Sequence, residues 1–297
     1  MTARPTQAAY DQLRIDTDRT SSDPIWTAMY RYLVEDLGLA EAFASNRANK
    51  ELTGDIPKGF CDGMERGGFS FRDKRVLDLG AGLGGLSAEI ARREATVISI
   101  EPGSAWRTLA HRRLAVMPRA SVLGAVGEFL PVASNSIDLI VSLQVLEHVA
   151  DPERVIAEAF RVLKPGGVIS LTYENYFSFW EPHYKVRWLP LLPKMIGAFY
   201  LKSLGRNPKF LNEAVTYTTF AGVRRSFFRA GFECMRLQSF RDSLHSPLRD
   251  GLKGKAVRVI ADLSEPTALS MLAAVDYCRR VLRTGVHEVM RKPVNQK

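Results

Sequence analysis

The stretch KRVLDLGAGLGGLSAEIA, residues 74–91, decides the fold of this 297-residue chain. An apolar run ends in three glycines, Gly80, Gly82 and Gly85, with the spacing G-x-G-x-x-G, and a helical pattern follows. Glycine lets a backbone turn sharply and approach a ligand closely, and the first turn of a helix offers unpaired N–H groups. The stretch therefore predicts a strand, a turn that holds a nucleotide-like cofactor, and a helix.

An acid inside this run, Asp78, discriminates between cofactors. In a dinucleotide site the pyrophosphate lies at the start of the helix, where a carboxylate two residues before the first glycine would repel it. S-adenosylmethionine carries an ammonium and a sulfonium and no phosphate, so its methionine end suits the acid. Glu101, at the tip of the next strand, can accept hydrogen bonds from both ribose hydroxyls of either cofactor. A dehydrogenase remains the alternative, and it requires that NAD bind more tightly.

Composition places the chain among ordinary globular proteins, with 46% hydrophobic and 25% charged residues. Its three cysteines are far apart in the sequence, which disfavours a zinc site or a disulfide framework and suits a reducing compartment. We see no secretory signal and no apolar run of membrane-spanning length, so we expect a cytoplasmic protein. The net charge of +9 indicates either phosphate-bearing partners or a solvated basic surface.

Short apolar runs alternate with amphipathic segments through the middle of the chain. The predicted strands are 75–80, 96–101, 120–125, 136–142 and 167–173, and the predicted helices between them are 84–94, 103–115 and 152–163. Such alternation predicts an α/β fold with a parallel sheet covered by helices on both faces.

The segments on either side of this part of the chain do not show a regular alternation of strands and helices. Helices are predicted at 24–43, 52–66, 217–230, 245–263 and 267–283, and strands at Phe232–Gln238 and Val286–Arg291. Between residues 175 and 215 the sequence is rich in proline and aromatic residues and shows little periodicity.

Several motifs in the right order resemble those of class I S-adenosylmethionine-dependent methyltransferases. They are VLDLGAGLG at 76–84, Glu101, GEFLPVASNSIDLIVSLQVLEHVADP at 127–152 and RVLKPGGVISLT at 161–172. They most resemble the bacterial branch that acts on small molecules and glycans. The resemblance implies a Rossmann-like, doubly wound, seven-stranded sheet, mostly parallel, whose last strand is antiparallel.

The resemblance also suggests how the chain divides. Residues 1–70 would be a helical N-terminal extension, of which the first twenty residues are expected to be disordered. Residues 71–174 would form the cofactor-binding core, and residues 175–215 an aromatic and basic substrate loop or lid. Residues 216–297 would complete the fold, with a helical insertion at about 245–283.

By resemblance, one set of residues holds S-adenosyl-L-methionine, which becomes S-adenosyl-L-homocysteine after transfer. Asp78 faces the methionine amino group, and the backbone of Gly80, Ala81 and Gly82 contacts the methionine moiety. Glu101 binds the ribose, Gly127 and Glu128 are placed at the adenine, and Gln144 closes over the methionine carboxylate and sulfonium. Val126 stands where the family often has an aspartate for the adenine amino group.

Candidate proton acceptors follow the fourth and fifth predicted strands, where the acceptor must bind. They are His148 and Glu147 in the motif LEHV, and His183 in the sequence EPHY. Histidine suits the task because its pKa lies near neutrality. The Glu-His pair has a second interpretation, since it is common in the family and can serve only to fix the start of a helix. We expect no metal, because no further ligand stands at suitable spacing.

The segment after the fifth strand is unusually aromatic, since residues 173–200 contain nine of the 28 aromatic residues. The side chains predicted to contact the acceptor are Tyr173, Asn175, Tyr176, Trp180 and Tyr184. The alternative is a satellite hydrophobic core beneath a long loop. Six basic residues and no acidic one lie between 182 and 210, which suits an anionic membrane surface or a phosphate on the acceptor.

Together these patterns predict O-methylation of a hydroxyl on a small-molecule, sugar or lipid-linked acceptor. N- or C-methylation, RNA methylation and a non-catalytic scaffold remain alternatives. Nucleic acid is the less favoured partner, because the segment Ser142–Val145 lacks the proline-containing tetrad of base-amino methyltransferases. Peripheral contact with the inner membrane surface stays open, and the sequence does not specify an oligomeric state.

Overall fold

A computed structural model describes residues 23–235 and 274–294. Seven strands form one sheet: β1 Arg75–Leu79, β2 Thr96–Ile100, β3 Ala120–Leu123, β4 Ile137–Leu143, β5 Leu163–Glu174, β8 Glu233–Cys234 and β9 Gly285–Arg291. Their order is β3-β2-β1-β4-β5-β9-β8, and a separate hairpin is formed by β6 Trp180–Glu181 and β7 Val186–Arg187. Strands β1 to β5 are parallel, and β9 runs antiparallel to both β5 and β8. The predicted fold class, including the antiparallel strand, is confirmed.

Helices cover both faces of this sheet. They are α1 Pro24–Arg31, α2 Glu41–Thr53, α3 Asp55–Arg66, α4 Gly85–Arg92, α5 Ser104–Leu114, α6 Pro152–Val162, α7 Lys194–Ser203, α8 Lys209–Ala214 and α9 Phe220–Ala230. Residues 274–281 are helical as well. The prediction for α6 holds in detail, because Asp151 accepts a hydrogen bond from the Arg154 N–H at 3.0 Å and Pro152 takes the first helical position.

The middle of the sheet is buried on both faces, as parallel strands require. Val76 and Leu77 in β1 and Leu139 and Ile140 in β4 are all fully buried. Strand order reverses between β1 and β4, and ligands of open α/β sheets bind at the carboxyl ends of the strands beside such a reversal. The glycine turn after β1 lies at this position.

Two segments differ from their predictions. The predicted helix 24–43 is broken: a π-helical turn, Tyr32–Asp36, follows α1, and α2 begins only at Glu41. Gly38 between them has φ = +63°, a left-handed conformation that ends a helix. The region 175–215, predicted as a loop, contains the β6–β7 hairpin, α7 and α8, because its apolar residues bury against one another instead of against the sheet.

Some predictions fall outside the described residues. They are the disordered first twenty residues, the helix 245–263, most of the helix 267–283 and the part of the strand Phe232–Gln238 beyond residue 235. Within the described ranges, no helix is both long enough and apolar enough to cross a membrane.

Candidate active site

A cavity of about 550 Å³ opens at the carboxyl ends of β1 and β4. Asp78, Gly80 and Glu101 line one part of it, and His148 and His183 line another. Helices α1 and α2 and the π-helical turn supply a further wall. Its volume is in the range of small-molecule sites, and it joins most of the residues predicted for the cofactor to the two histidines predicted for proton transfer.

The carboxyl group of Asp78 is buried at the end of β1, with only 2% of the residue exposed. Its Oδ2 accepts a hydrogen bond from the Ser87 hydroxyl at 2.5 Å, and Ser87 in turn contacts the Ser99 hydroxyl at 2.7 Å. Burial raises the pKa of Asp78 to about 6, against the lowering effect of Ser87. A cationic ligand beside this group would restore its ionised form, which fits the ammonium of a methionine moiety.

Glu101, directly after β2, links two backbone turns. One carboxylate oxygen accepts from the Gly82 N–H and the other from the Gly103 N–H, both at 2.8 Å. Burial raises the pKa of Glu101, and these two N–H groups oppose that shift. The carboxylate is therefore fixed where the cavity continues into a smaller one, and a carboxylate oxygen can accept more than one hydrogen bond.

The first glycine of the turn is required by packing as well as by conformation. Gly80 has φ = +75°, and a Cβ atom there would lie 2.4 Å from the Val145 side chain. Gly80 and Ala81 both donate their N–H groups to the Ile100 carbonyl at 2.9 Å. The turn is thus held against the end of β2, and the backbone of Gly80, Ala81 and Gly82 lines the cavity.

A second cavity of about 170 Å³ adjoins the first and shares Gly80, Glu101 and Gln144 with it. Gly127 and Glu128, the residues predicted to contact the adenine, line this smaller cavity. The Glu128 carboxylate, however, accepts hydrogen bonds from the Ala150 and Asp151 N–H groups at 2.9 and 3.2 Å. Its observed partners therefore lie in the segment before α6.

Gln144 follows β4 and adopts φ = +59°. With its amide nitrogen turned toward the neighbouring acids, the side chain donates to Glu174 at 2.6 Å and to Glu147 at 2.7 Å. Gln144 thus lies between the part of the cavity lined by Asp78 and the part lined by the histidines.

The first of the two histidines, His183, is held by a buried acid. Its Nδ1 lies 2.9 Å from Glu181, which is fully buried, and the Tyr176 hydroxyl and the Tyr184 N–H also contact that carboxylate. Burial alone would lower the pKa of His183, but the hydrogen bond and charge of Glu181, with the charges of Glu147 and Glu174, raise it. His183 is therefore the more basic of the two imidazoles.

His148 lies beside it, with the ring centroids 5.1 Å apart. Its Nδ1 is 2.7 Å from the Ala214 carbonyl, so the neutral ring donates from Nδ1 and carries its lone pair on Nε2. Burial, with the charge of His183, lowers the pKa of His148 to about 3. A base this weak removes a hydroxyl proton poorly.

The carboxyl group of Glu147 is fully buried in the 3₁₀ turn Leu146–His148. Burial raises its pKa to about 8, against the lowering effect of the charge of His183, and the residue does not line the larger cavity. Its Oε2 and the Oε2 of Glu174 make no hydrogen bond with any described residue. Of the three predicted proton acceptors, His183 has the most suitable surroundings.

The three predicted proton acceptors lie close together. One potential ligand atom from each of Glu147, His148 and His183 falls within 4.8 Å of the others. Both histidines have Nδ1 held by a protein acceptor, an arrangement that also orients metal-bound histidines. The donor set of one carboxylate and two imidazoles can therefore hold a divalent metal, although the sequence analysis expected none.

The five side chains predicted to contact the acceptor lie elsewhere: Tyr173, Asn175, Tyr176 and Tyr184 are buried, and Trp180 is exposed. None of them lines the larger cavity. The Asn175 amide bonds the carbonyls of Val281 and Arg283 and connects β5 to β9. The satellite core, which was the alternative interpretation, describes the packing of Tyr176 and Tyr184.

Other residues line the cavity near the histidines. They are Glu174, Pro182, Lys185, Asn207, Lys209, Phe210 and Glu213. The sequence analysis also missed Glu181, although its position two residues before His183 was a usable signal. Phe210 packs its ring against both histidines, at 5.5 and 5.1 Å between centroids, and nothing in its local sequence indicates that contact.

Comparison with known proteins agrees with this geometry. Residues 77–171 match the family described as a methyltransferase domain. An uncharacterised methyltransferase of Mycobacteroides abscessus is 38% identical over 109 residues, which are 36% of this chain and 42% of that protein. A ubiquinone biosynthesis O-methyltransferase of Pseudomonas fluorescens is 39% identical over 107 residues, or 34% of this chain and 45% of that protein. The matched part thus spans less than half the length of these relatives.

A solved structure extends the likeness in fold. Phosphoethanolamine N-methyltransferase 2 of Haemonchus contortus, in complex with S-adenosyl-L-methionine, aligns with 96% of this chain and 60% of its own, at a TM-score of 0.52 and 16% identity. At this identity the likeness concerns the fold alone. The matched residues contain the glycine turn, Asp78 and Glu101, whose arrangement suits a cationic adenosyl ligand. Residues 77–171 therefore match a methyltransferase domain, and the fold around them is the one seen in an S-adenosylmethionine-dependent methyltransferase.

Proposed function

We propose that the chain transfers a methyl group from S-adenosylmethionine to a hydroxyl of a small-molecule, sugar or lipid-linked acceptor. One observation carries this proposal: a single cavity extends from Asp78 and Glu101 to His183, which is paired with a buried acid. A bound methyl donor and a proton acceptor would therefore face the same cavity. The bacterial branch that acts on small molecules and glycans is part of this proposal.

The positions of the cofactor residues support one role for each. Asp78 attracts the methionine ammonium, the Gly80–Gly82 backbone lies along the methionine chain, and Glu101 accepts from the ribose hydroxyls. Gly127 lies beside the adenine in the smaller cavity, and Gln144 closes over the methionine carboxylate and sulfonium. When bound, S-adenosylmethionine supplies a methyl group already activated by a sulfonium.

The protein must align the two reactants and remove the proton of the acceptor hydroxyl. Alignment of two bound reactants can supply roughly 7–11 kcal/mol of the barrier reduction. The acceptor oxygen forms a bond to the methyl carbon as the bond to sulfur breaks, and the hydroxyl proton passes to Nε2 of His183. Glu181 holds Nδ1 of the same ring and stabilises the imidazolium that forms. A hydroxyl acceptor needs such a base, whereas a neutral amine does not.

The printed name of one relative supports oxygen as the acceptor atom, since the Pseudomonas fluorescens protein is an O-methyltransferase. The similarity covers the domain at 77–171 and only part of the acceptor wall. N- or C-methylation of a small molecule is accordingly the alternative in the same cavity. The exposed basic surface leaves RNA as a weaker alternative, which steep salt dependence of binding would reveal.

The direct test is mass spectrometry of bacterial extracts incubated with the protein and isotopically labelled S-adenosylmethionine. We expect a labelled methyl group on a hydroxyl-bearing compound, and labelling slower by about 100-fold or more with His183→Gln. Calorimetry with S-adenosylmethionine and NAD accompanies it. Absence of S-adenosylmethionine binding would favour the scaffold alternative, tighter NAD binding would favour a dehydrogenase, and label on nitrogen or carbon would contradict O-transfer.

Binding of S-adenosylmethionine is expected to weaken as the pH falls below about 6. Burial raises the pKa of Asp78 to about 6, so below that pH the group is neutral and no longer attracts an ammonium. Asp78→Asn should weaken binding by about 10- to 100-fold at pH 7.5, the equivalent of one charged hydrogen bond, and remove this pH dependence. Isothermal titration between pH 5 and 8 measures both effects.

Folding stability provides the control for Asp78→Asn, because its pH dependence is opposite to that of cofactor binding. Protonation of Asp78 weakens binding of the cofactor but stabilises the folded protein. A buried carboxyl with a raised pKa binds its proton more tightly in the folded state, so Asp78 contributes stability as the pH falls from about 6 toward 4. Thermal unfolding of wild type relative to Asp78→Asn should show that trend. A variant with unchanged affinity for S-adenosylmethionine would contradict the role given to Asp78.

Metal-assisted deprotonation is a second candidate mechanism, favoured by the grouping of Glu147, His148 and His183. Under the leading mechanism, activity after treatment with a chelator should equal the untreated activity, because His183 alone accepts the proton. Assay of protein dialysed against EDTA, with Mg²⁺, Mn²⁺ or Zn²⁺ added back separately, decides between the two. Loss on chelation with recovery on addition of one ion would assign the cluster to a metal.

A further inference from the structure

An exposed apolar surface lies in the segment 177–204. This stretch of 28 residues contains nine of the twenty large hydrophobic side chains that are exposed among the described residues. We define the apolar patch as Phe179, Trp180, Leu189, Met195, Ile196 and Phe199. Such a concentration on a water-facing surface is typical of an interaction site.

Helix α7 carries the most exposed part of the patch and is apolar on two sides. On its inner side Leu201 is fully buried, and a Cβ atom at Gly197 would lie 2.5 Å from the Trp188 ring. On its outer side Met195 is 83% exposed and Phe199 is 76% exposed. The inner contacts fix the helix, so the outer apolar face is held in place and covered by none of the described residues.

The sequence segment that carries most of the patch has charges of one sign. No acidic residue occurs between positions 182 and 212, whereas six basic residues do. One of them, Lys194, turns inward and donates to the Val215 carbonyl. Arg187 and Lys202 are exposed, and Arg206 is half-buried. Apolar side chains with such a rim match the interface of an anionic bilayer, where the rings enter the acyl boundary and the cations meet phosphate.

The same segment forms part of the cavity wall. In the β6–β7 hairpin, Pro182, His183 and Lys185 line the larger cavity, while Trp180 is 42% exposed. The hairpin therefore connects the apolar patch to the wall that the acceptor contacts. A protein held at a bilayer by this surface would have the hairpin close to lipid-linked molecules.

We propose that the apolar patch and its basic rim bind the surface of an anionic phospholipid bilayer. The proposal goes beyond methyl transfer and stands without it. A second copy of the chain fits the surface less well, because a two-fold contact would place one basic rim against another, and the segment 182–212 contains no acidic residue to pair with it.

Co-sedimentation of the full chain with lipid vesicles tests the proposal. We expect binding to vesicles that contain one-third phosphatidylglycerol and little binding to phosphatidylcholine alone. The double variant Met195→Gln/Phe199→Gln should lower the partition coefficient at least tenfold. Arg187→Gln/Lys202→Gln should lower it by about fivefold for each cation removed and weaken its salt dependence. Val116→Gln, which changes an equally exposed residue after α5, is the matched control and should bind as wild type does.

Three outcomes would overturn the proposal. The first is wild-type protein that stays in the supernatant with anionic vesicles, and the second is a double variant that sediments as wild type does. The third is a wild-type dimer, seen by size-exclusion chromatography, that Met195→Gln/Phe199→Gln converts to a monomer, because the patch would then bind a second copy. Circular dichroism and S-adenosylmethionine titration confirm that each variant is folded.

Discussion

His183→Gln is expected to lower kcat for methyl transfer by about 10²- to 10⁴-fold, the usual contribution of a positioned general base. The affinity for S-adenosylmethionine should stay within about twofold, since the binding groups at Asp78 and Glu101 are unchanged. Single-turnover assays with labelled cofactor measure the rate of transfer, and calorimetry measures the affinity. Equal loss of rate and cofactor affinity would indicate damage to the whole site.

The pH profile separates a base from a merely structural residue. The carboxylates Glu181, Glu147 and Glu174 raise the pKa of His183 against the effect of its burial. Because only the neutral imidazole accepts a proton, the wild-type rate should rise with pH through this raised pKa and then level off. His183→Gln should lose that limb of the profile.

Glu181 is a positioning residue, and its variant tests the pairing with His183. Glu181→Gln keeps the shape of the side chain but removes the charge that raises the pKa of His183, so the rising limb should move to lower pH. The matched comparison is His148→Gln, which alters the neighbouring ring. A much larger loss of kcat in His148→Gln than in His183→Gln would transfer the role of base to His148.

The donor half of the site was accessible from the sequence because its determinants are local. Gly80, Gly82 and Asp78 stand within five residues of one another, and the strand before them fixes their direction. Glu101 follows from the same rule, since neighbouring parallel strands end at the same edge of a sheet. The structure places all four residues along one cavity.

The acceptor half depends on contacts between segments far apart in sequence. His183 acquires its basicity from Glu147 and Glu174 as well as from Glu181, and Phe210 packs against it from another helix. Aromatic content alone indicated a substrate loop, but burial of Tyr176 and Tyr184 depends on whether a second layer covers them. The helices α7 and α8 form that layer, and their weak periodicity hid it.

Loss of Glu101 is expected to have the largest effect on the cofactor. Glu101→Ala should weaken binding of S-adenosylmethionine by about 100-fold or more, because two hydrogen bonds from ribose hydroxyls to a charged acceptor contribute roughly 1.5–3 kcal/mol each. The substitution also removes the acceptor for the Gly82 and Gly103 N–H groups, so the glycine turn loses its restraint toward β2. Calorimetry with S-adenosylmethionine and S-adenosylhomocysteine should show equal losses, since both carry the same ribose.

Comparison with Glu101→Gln separates the loss of hydrogen bonds from the ribose from the loss of restraint on the glycine turn. The glutamine amide keeps one oxygen that accepts from one of the two backbone N–H groups, but it presents an NH₂ group to the other N–H. The affinity of Glu101→Gln for S-adenosylmethionine should therefore fall between that of wild type and that of Glu101→Ala. Glu94→Ala, at an exposed acid before β2, is the matched control and should bind as wild type does. A cofactor that lacks the ribose hydroxyls should bind wild type and Glu101→Gln more nearly alike, because the main difference between the two is then absent. If Glu101→Ala bound S-adenosylmethionine as tightly as wild type, the ribose would have to lie away from the carboxyl end of β2, and the placement of the adenine in the smaller cavity would fail with it.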